Sequence, residues 1–201
     1  TIEELLASGI HIWMASGDDE ITGHNIGLAC KLLLPETSSV HVMITRSKYS
    51  TKSQLKEALR QSVYSFDAAL DQDGISLMKP WFLVIDGTSI AIALKDEGAE
   101  SMRELLIELS LRCKAVLCCR VSPAQKSDLV NFLCTSREDV RVMAVGDGSN
   151  DIAMIQEAHV GVAISGVEKS QATNAADYSV AQFRYLSPLI LKHGQFNYIR
   201  L

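Results

Sequence analysis

Basic charge is scarce in this sequence. Nineteen Lys and Arg stand against 24 Asp and Glu, a formal net charge of −5, and no Lys/Arg run occurs. That argues against a nucleic-acid-binding face and against a basic helix lying on a membrane surface. No stretch reaches the ~20 apolar residues that span a bilayer, and no signal-peptide pattern is present. Internal repeats and Pro/Gly-rich linkers are also missing. Thiol chemistry is thin. The five cysteines, Cys30, Cys113, Cys118, Cys119 and Cys134, are odd in number, and the adjacent Cys118-Cys119 lacks the two-residue gap of a zinc or redox pair. They read as reduced, packed thiols of a cytosolic domain. His11, His24, His41, His159 and His193 show no metal-ligand spacing and read as surface or satisfied core residues.

What is present is an ordinary globular composition, 47% apolar and 21% charged, which argues against a disordered chain. A length of 201 residues suits one α/β domain with a sizeable core. The chain starts at Thr1 without a Met and reads as an excised piece of something longer. Short apolar runs alternate with helical periodicity. Ile10–Ala15, Val40–Ile44, Phe82–Ile85, Ala115–Cys119, Val142–Val145, Val160–Ile164 and Tyr178–Val180 read as strands, the first of them buried. Between them, Ile26, Ala29, Cys30 and Leu33 mark the apolar face of one helix. Leu55, Leu59, Val63 and Phe66 mark another over Thr51–Leu70, and a third covers Glu97–Leu111. Pro123 fits the first turn of a fourth. Apolar strands alternating with helices predict a parallel sheet with helices on both faces, and ligands then sit beyond the carboxyl ends of the strands. The tail from Phe183 reads as helical, with Leu186, Leu189, Ile190, His193 and Phe196 close to one stripe.

Three motifs follow strand ends. Gly146-Asp147-Gly148-Ser149-Asn150-Asp151 puts two carboxylates four apart at a strand tip and a helix opening. Mg²⁺ takes one or two carboxylates and completes its shell with water and phosphate oxygens. An acidic turn with a helix cap would look similar. Ser16-Gly17-Asp18 offers a hydroxyl and free N–H groups at a helix start, which suits a phosphate, although Ser and Asp at such a start are mostly caps. Arg120-Val121-Ser122-Pro123-Ala124-Gln125-Lys126 places a Lys where it neutralises a phosphate or is simply solvated. Asp86, in Ile85-Asp86-Gly87-Thr88-Ser89, reads as a strand-end turn.

A hydroxyl, then a Lys, then a pair of Asp, each after its own strand, resembles the order in haloacid-dehalogenase-like (HAD-like) phosphotransferases. More specifically, Val160–Gly166, Ala176–Phe183 and His193–Tyr198 resemble the type IV P-type ATPases, the phospholipid flippases. Cys118–Lys126, Leu83–Gly87 and Thr1–Leu33 fit the same branch. The resemblance implies a HAD-like (Rossmannoid) phosphorylation domain over residues 1–182, lacking its nucleophile strand, and a helix over 183–201 leading toward a transmembrane segment. It implies that Ser16, Gly17 and Asp18 touch phosphate and nucleotide, and that Arg120 and Lys126 contact phosphates. Asp147 and Asp151 would hold Mg²⁺, and Asn150 would complete the site. Ser16, Lys126 and Asp147 would be the catalytic set, converging on one phosphoryl group. ATP is the implied substrate and Mg²⁺ the cofactor. Phospholipid would move through a membrane domain outside the chain, with an accessory β-subunit and no nucleic acid as partner. The location would be the cytosolic side of a membrane protein, and the chain alone would be inactive.

The family usually has Thr-Gly-Asp-Lys where this chain has Ser16-Gly17-Asp18-Asp19. The exchange changes local charge by two units beside a polyanion, each worth roughly 1–4 kcal/mol at ~4 Å. That departure suits an alternative, a degenerate flippase-like regulatory domain of a larger polypeptide such as a protist guanylate cyclase. A free-standing HAD phosphatase is the third reading.

Overall fold

The computed structural model describes residues 1–71, 79–98, 100–137, 139–165 and 171–200. Gly166 and Leu201, which close two of the segments above, lie outside them. Strands β1 (Ile12–Ala15), β2 (Val40–Ile44), β3 (Trp81–Asp86) and β4 (Ala115–Cys119) pair in parallel in the order β1-β4-β3-β2. Strands β5 (Met143–Gly146), β6 (Val160–Ile164) and β7 (Tyr178–Val180) form a second parallel sheet in that order. Parallel strands joined through helices make this an α/β protein, as expected of a HAD-like, Rossmannoid domain. The residues divide into two compact units: Gly9–Ser122 with Ile2, and the residues from Pro123 on with Thr1 and Glu3–Ser8.

In the first unit the core is the central pair of strands. Phe82 to Ile85 and Ala115 to Cys119 are all at most 1% exposed, and each buried aliphatic side chain is worth about 1.5–3 kcal/mol. β1 departs from expectation. All four of its residues are only partly buried, because it has one strand neighbour where β3 and β4 have two. Helix α1 (Ile2–Ala7) precedes it and α2 (Glu20–Ala29) follows.

The face expected of Ile26, Ala29, Cys30 and Leu33 holds only past the end of α2, where Cys30 is half-buried and Leu33 buried. Ile26 is 40% exposed and Ala29 faces solvent, while Gly23 and Gly27 are the buried positions. A Cβ at Gly23 would lie 2.9 Å from Cys119 Sγ, and one at Gly27 would lie 2.9 Å from Leu33 Cγ. The helix therefore approaches its neighbours through bare backbone, which counting apolar side chains does not reveal.

Helix α3 (Lys52–Asp71) buries Leu55, Leu59 and Val63 as its periodicity predicts. Its Phe66 meets Trp81 edge-on at 5.2 Å. Helix α4 (Gly87–Leu94) has no counterpart in the sequence reading. The helix expected over Glu97–Leu111 is α5 (Met102–Arg112), which starts later because Ser101 caps it by accepting from Glu104 N–H at 3.2 Å.

In the second unit α6 (Pro123–Ser136) opens at its proline as expected. A single 3₁₀ turn, Ser149–Asp151, leads into α7 (Ile152–Glu157). Ile155 packs with Ala163 of β6 and Ala172 of α8 (Gln171–Ala175). A Cβ at Gly161 would meet Ile155 O at 2.8 Å, so β6 and α7 approach through that glycine. The Gly161 N–H donates to Asp177 Oδ2 at 2.7 Å, and the Asp177 N–H returns to Gly161 O at 3.0 Å.

The tail is helical but not a uniform stripe. α9 (Leu186–Pro188) passes through a π-helical stretch, Leu189–Gly194, into α10 (Gln195–Arg200). Leu186 is buried, whereas Phe196 is 60% exposed. The π turn rotates the later positions off the line that 3.6-residue spacing projects. No helix of the described residues is long and apolar enough to cross a membrane.

All five cysteines are free, and Cys113, Cys118 and Cys119 are buried, as the packed-thiol reading expects. Burial pushes the Cys113 thiol up to about 12, and burial with the neighbouring Cys119 pushes Cys118 up as well. Cys119 rises to about 11, first through burial and then through Glu20, Asp19, Asp86 and Asp18. The thiolate is the reactive form, so raised values remove it at pH 8. Iodoacetamide is expected to modify Cys30 in the native chain, the half-buried Cys134 more slowly because burial raises its thiol too, and the other three only after denaturation. Mass spectrometry of the peptides checks this. Rapid native labelling of Cys118 would contradict the packing.

Candidate functional site

The Ser16 turn is built by β1 and β4. Ser16 N–H donates to Cys118 O at 2.9 Å and Val121 N–H donates to Ser16 O at 3.0 Å. Arg120 N–H donates to Asp18 O at 2.8 Å. Ser16-Gly17-Asp18 and Arg120 are therefore one backbone assembly, made adjacent by the pairing of strands about 100 residues apart. Arg120 reaches it with a left-handed backbone, φ 52°, which is costly for a residue with a Cβ. The Ser16 hydroxyl donates to Asp18 Oδ2 at 2.6 Å and accepts from the Asp18 N–H at 3.1 Å. Gly17, Asp18 and Arg120 are exposed.

Asp19 has a local task that its place in the motif did not announce. Its carboxylate caps α2, accepting from Thr22 N–H at 2.8 Å. That bond, ahead of smaller contributions that include Arg120, holds the carboxyl below its ordinary value. Asp86 likewise caps α4, accepting from Ser89 N–H at 3.0 Å. This fits the strand-end turn read for it.

The second unit assembles the other motifs. Lys126, in the first turn of α6, sets Nζ 2.8 Å from Asp151 Oδ1, with side-chain exposures of 16% and 11%. Asp151 Oδ2 accepts from the Asp147 N–H at 3.3 Å. The Asp151 side chain fits only because residue 146 is glycine, since a Cβ there would lie 2.4 Å from Asp151 Cβ. Both Asp151 oxygens are thus engaged by the protein. Asp147 is exposed at the end of β5, and its carboxylate has no partner among the described residues. Asn150 is exposed on the 3₁₀ turn. A cation-binding role fits this arrangement, with one free carboxylate at a strand tip on a loop whose shape Asp151 and Lys126 fix.

Comparison with known proteins bears on what these loops serve. A family model described as phospholipid-translocating P-type ATPase C-terminal matches residues 173–201, and one described as haloacid dehalogenase-like hydrolase matches 122–182. Over its whole length the chain is 39% identical to the phospholipid-transporting ATPase DRS2 of Saccharomyces cerevisiae, across 203 aligned residues. It is 36% identical to the probable phospholipid-transporting ATPase IM of Homo sapiens and 39% to the probable phospholipid-transporting ATPase 12 of Arabidopsis thaliana, across 217 and 209 residues.

The chain belongs to the phospholipid-transporting P-type ATPase family. It spans 14–18% of the length of these relatives. Within that family its HAD-like match covers Lys126, Asp147, Asn150 and Asp151, while Ser16 and Arg120 fall outside both family models.

Proposed function

We propose that this chain handles the phosphoryl group in an ATP-driven phospholipid pump, on the cytosolic side of its membrane. The observation that carries the reading is the loop after β5. Asp151 is held by Lys126 and by the Asp147 amide, and the Asp147 carboxylate has no partner among the described residues. Asp147 would hold Mg²⁺, with the Asp151 carboxylate and Asn150 bordering the position. The ion, when bound, would offset negative charge on the phosphoryl oxygens. Lys126 supplies a fixed positive charge beside it. In the other unit Ser16, Gly17, Asp18 and Arg120 meet phosphate and nucleotide oxygens. A phosphate there takes the Ser16 hydroxyl hydrogen that Asp18 now accepts. Phosphoryl transfer depends mainly on positioning and charge neutralisation, and these are what the residues provide. The acceptor aspartate, the lipid path and any β-subunit belong to the rest of the parent. Residues 183–201 lead from the phosphorylation domain toward the membrane.

The regulatory alternative rests on Asp19 replacing a Lys. That carboxylate caps α2, so its presence has a structural reason independent of lost activity.

The 201-residue chain is expected to hydrolyse neither ATP nor p-nitrophenyl phosphate, whereas the parent in phospholipid vesicles hydrolyses ATP with Mg²⁺. Mg²⁺-dependent turnover by the chain alone, lost in Asp147→Ala, would make it a free-standing phosphatase and reopen Asp86 as a nucleophile.

A further inference from the structure

Away from the phosphate motifs, three side chains with metal-ligating atoms come together: His24, Glu36 and His41. Sequence spacing gives no sign of this, because the two histidines are 17 residues apart on different elements. α2 carries His24 and the edge strand β2 carries His41. The return of the chain between them sets His24 Nε2 2.9 Å from His41 Nδ1. Glu36, in the connection, brings a carboxylate oxygen to within 4.8 Å of a ring nitrogen of each histidine.

The His41 tautomer follows from its other side. Nε2 lies 2.8 Å from Leu34 O, which can only accept, so Nε2 carries the hydrogen. Ser39 Oγ stands 2.9 Å from the same nitrogen. The Nδ1 lone pair therefore faces His24. An imidazole with one N–H tied to a backbone carbonyl and its other nitrogen presented as a lone pair is oriented as metal-bound histidines are. Phe82 packs edge-on against the His41 ring at 5.6 Å and fixes its plane. Both rings are half-buried, and Glu36 is exposed and able to swing.

We propose that His24 Nε2, His41 Nδ1 and the Glu36 carboxylate bind one Zn²⁺, with water at the remaining position. Two imidazoles and a single carboxylate suit zinc, whereas Mg²⁺ and Ca²⁺ favour oxygen-rich sites. Tetrahedral zinc with bonds of about 2.0–2.1 Å sets its ligand atoms about 3.3 Å apart. The rings therefore part by a few tenths of an ångström and Glu36 moves in. The hydrogen now between the rings leaves His24 Nε2 and moves to Nδ1 as the ion enters. The bound ion ties the edge strand β2 to α2, the helix that follows Ser16-Gly17-Asp18.

Calorimetric titration of Zn²⁺ into the 201-residue chain, in excess Mg²⁺, tests this. One site is expected, undisturbed by Mg²⁺. His24→Ala is expected to weaken it at least ~100-fold and Glu36→Gln at least ~10-fold, since even residues behind a metal ligand are worth about 10–100-fold. Cys134 and His159 are the rival pair, with Sγ 3.5 Å from Nδ1, so Cys134→Ser is expected to leave binding unchanged. Melting curves of the metal-free variants report folding. If His24→Ala fails to fold, Glu36→Gln on its exposed side chain decides alone. Zinc binding lost in Cys134→Ser but retained in Glu36→Gln, or no zinc site at all, overturns the proposal.

Discussion

Asp147→Ala in the full-length parent is expected to lower phospholipid-stimulated ATP hydrolysis by about 10²–10³-fold, the loss seen when one preorganised electrostatic partner of a transition state is removed. The argument starts from what Asp147 does not do. Its carboxylate holds up no part of the fold, because it is exposed and unpartnered among the described residues. What the residue contributes to the loop is its backbone N–H, donated to Asp151, and alanine retains that. The melting temperature should therefore stay close to that of the unaltered protein while turnover collapses. Asp147→Asn keeps the shape and removes the charge, and should be nearly as inactive. Steady-state phosphate release from the parent in vesicles, with each variant's melting curve beside it, makes the comparison. Activity within a few-fold of the unaltered protein would take Asp147 out of the cation site.

Lys126→Ala is expected to do the opposite kind of damage, costing stability as well as activity. Lys126 and Asp151 are a largely buried pair at 2.8 Å. Removing the ammonium leaves a carboxylate at 8% exposure with one oxygen stripped of its partner. Breaking such a pair from one side costs roughly 3–5 kcal/mol when burial is complete, and about 2–4 kcal/mol suits the residual exposure here. Asp151→Asn in the same background removes the orphaned charge and should recover part of the loss. A double-mutant cycle is then expected to show about 1–3 kcal/mol of coupling. Additive effects in denaturant unfolding would mean the pair contributes nothing specific. A chain carrying Lys126→Ala that folds normally yet loses activity in the parent would assign the Lys to phosphate alone.

How far the sequence can be read depends on which physical term shapes each element. β3, β4 and β6 declare themselves, since strands buried on both faces are continuous apolar runs. α3 does too, because half its surface is wet and the other half is not. α2 misleads because its contact face is made of Gly23 and Gly27, and periodicity counts only side chains. α4 is invisible because Asp86-Gly87 looks like the end of something. Its Ile90 and Ala93 are buried, so no polar stripe marks a period. At the site, the six residues from Gly146, the last of β5, to Asp151 are legible as an acid-bearing turn. Its internal wiring is not, since the Lys126–Asp151 bond joins residues 25 apart. The family's usual Lys hides the task of Asp19, whose capping bond is set by where α2 begins. Spacing alone gives His24 and His41 no metal role, because it is blind to contacts made by chain reversal.

β1 and β5 each have a strand neighbour on one side only among the described residues. So do β2 and β7, and the unpaired flank of a strand is a row of amide and carbonyl groups with which another extended chain can pair. Neither β1 nor β5 carries a charged side chain along its length to discourage such a visitor. The four-residue length of β1 and of β5 limits that pairing, since a short edge offers an incoming strand few bonds.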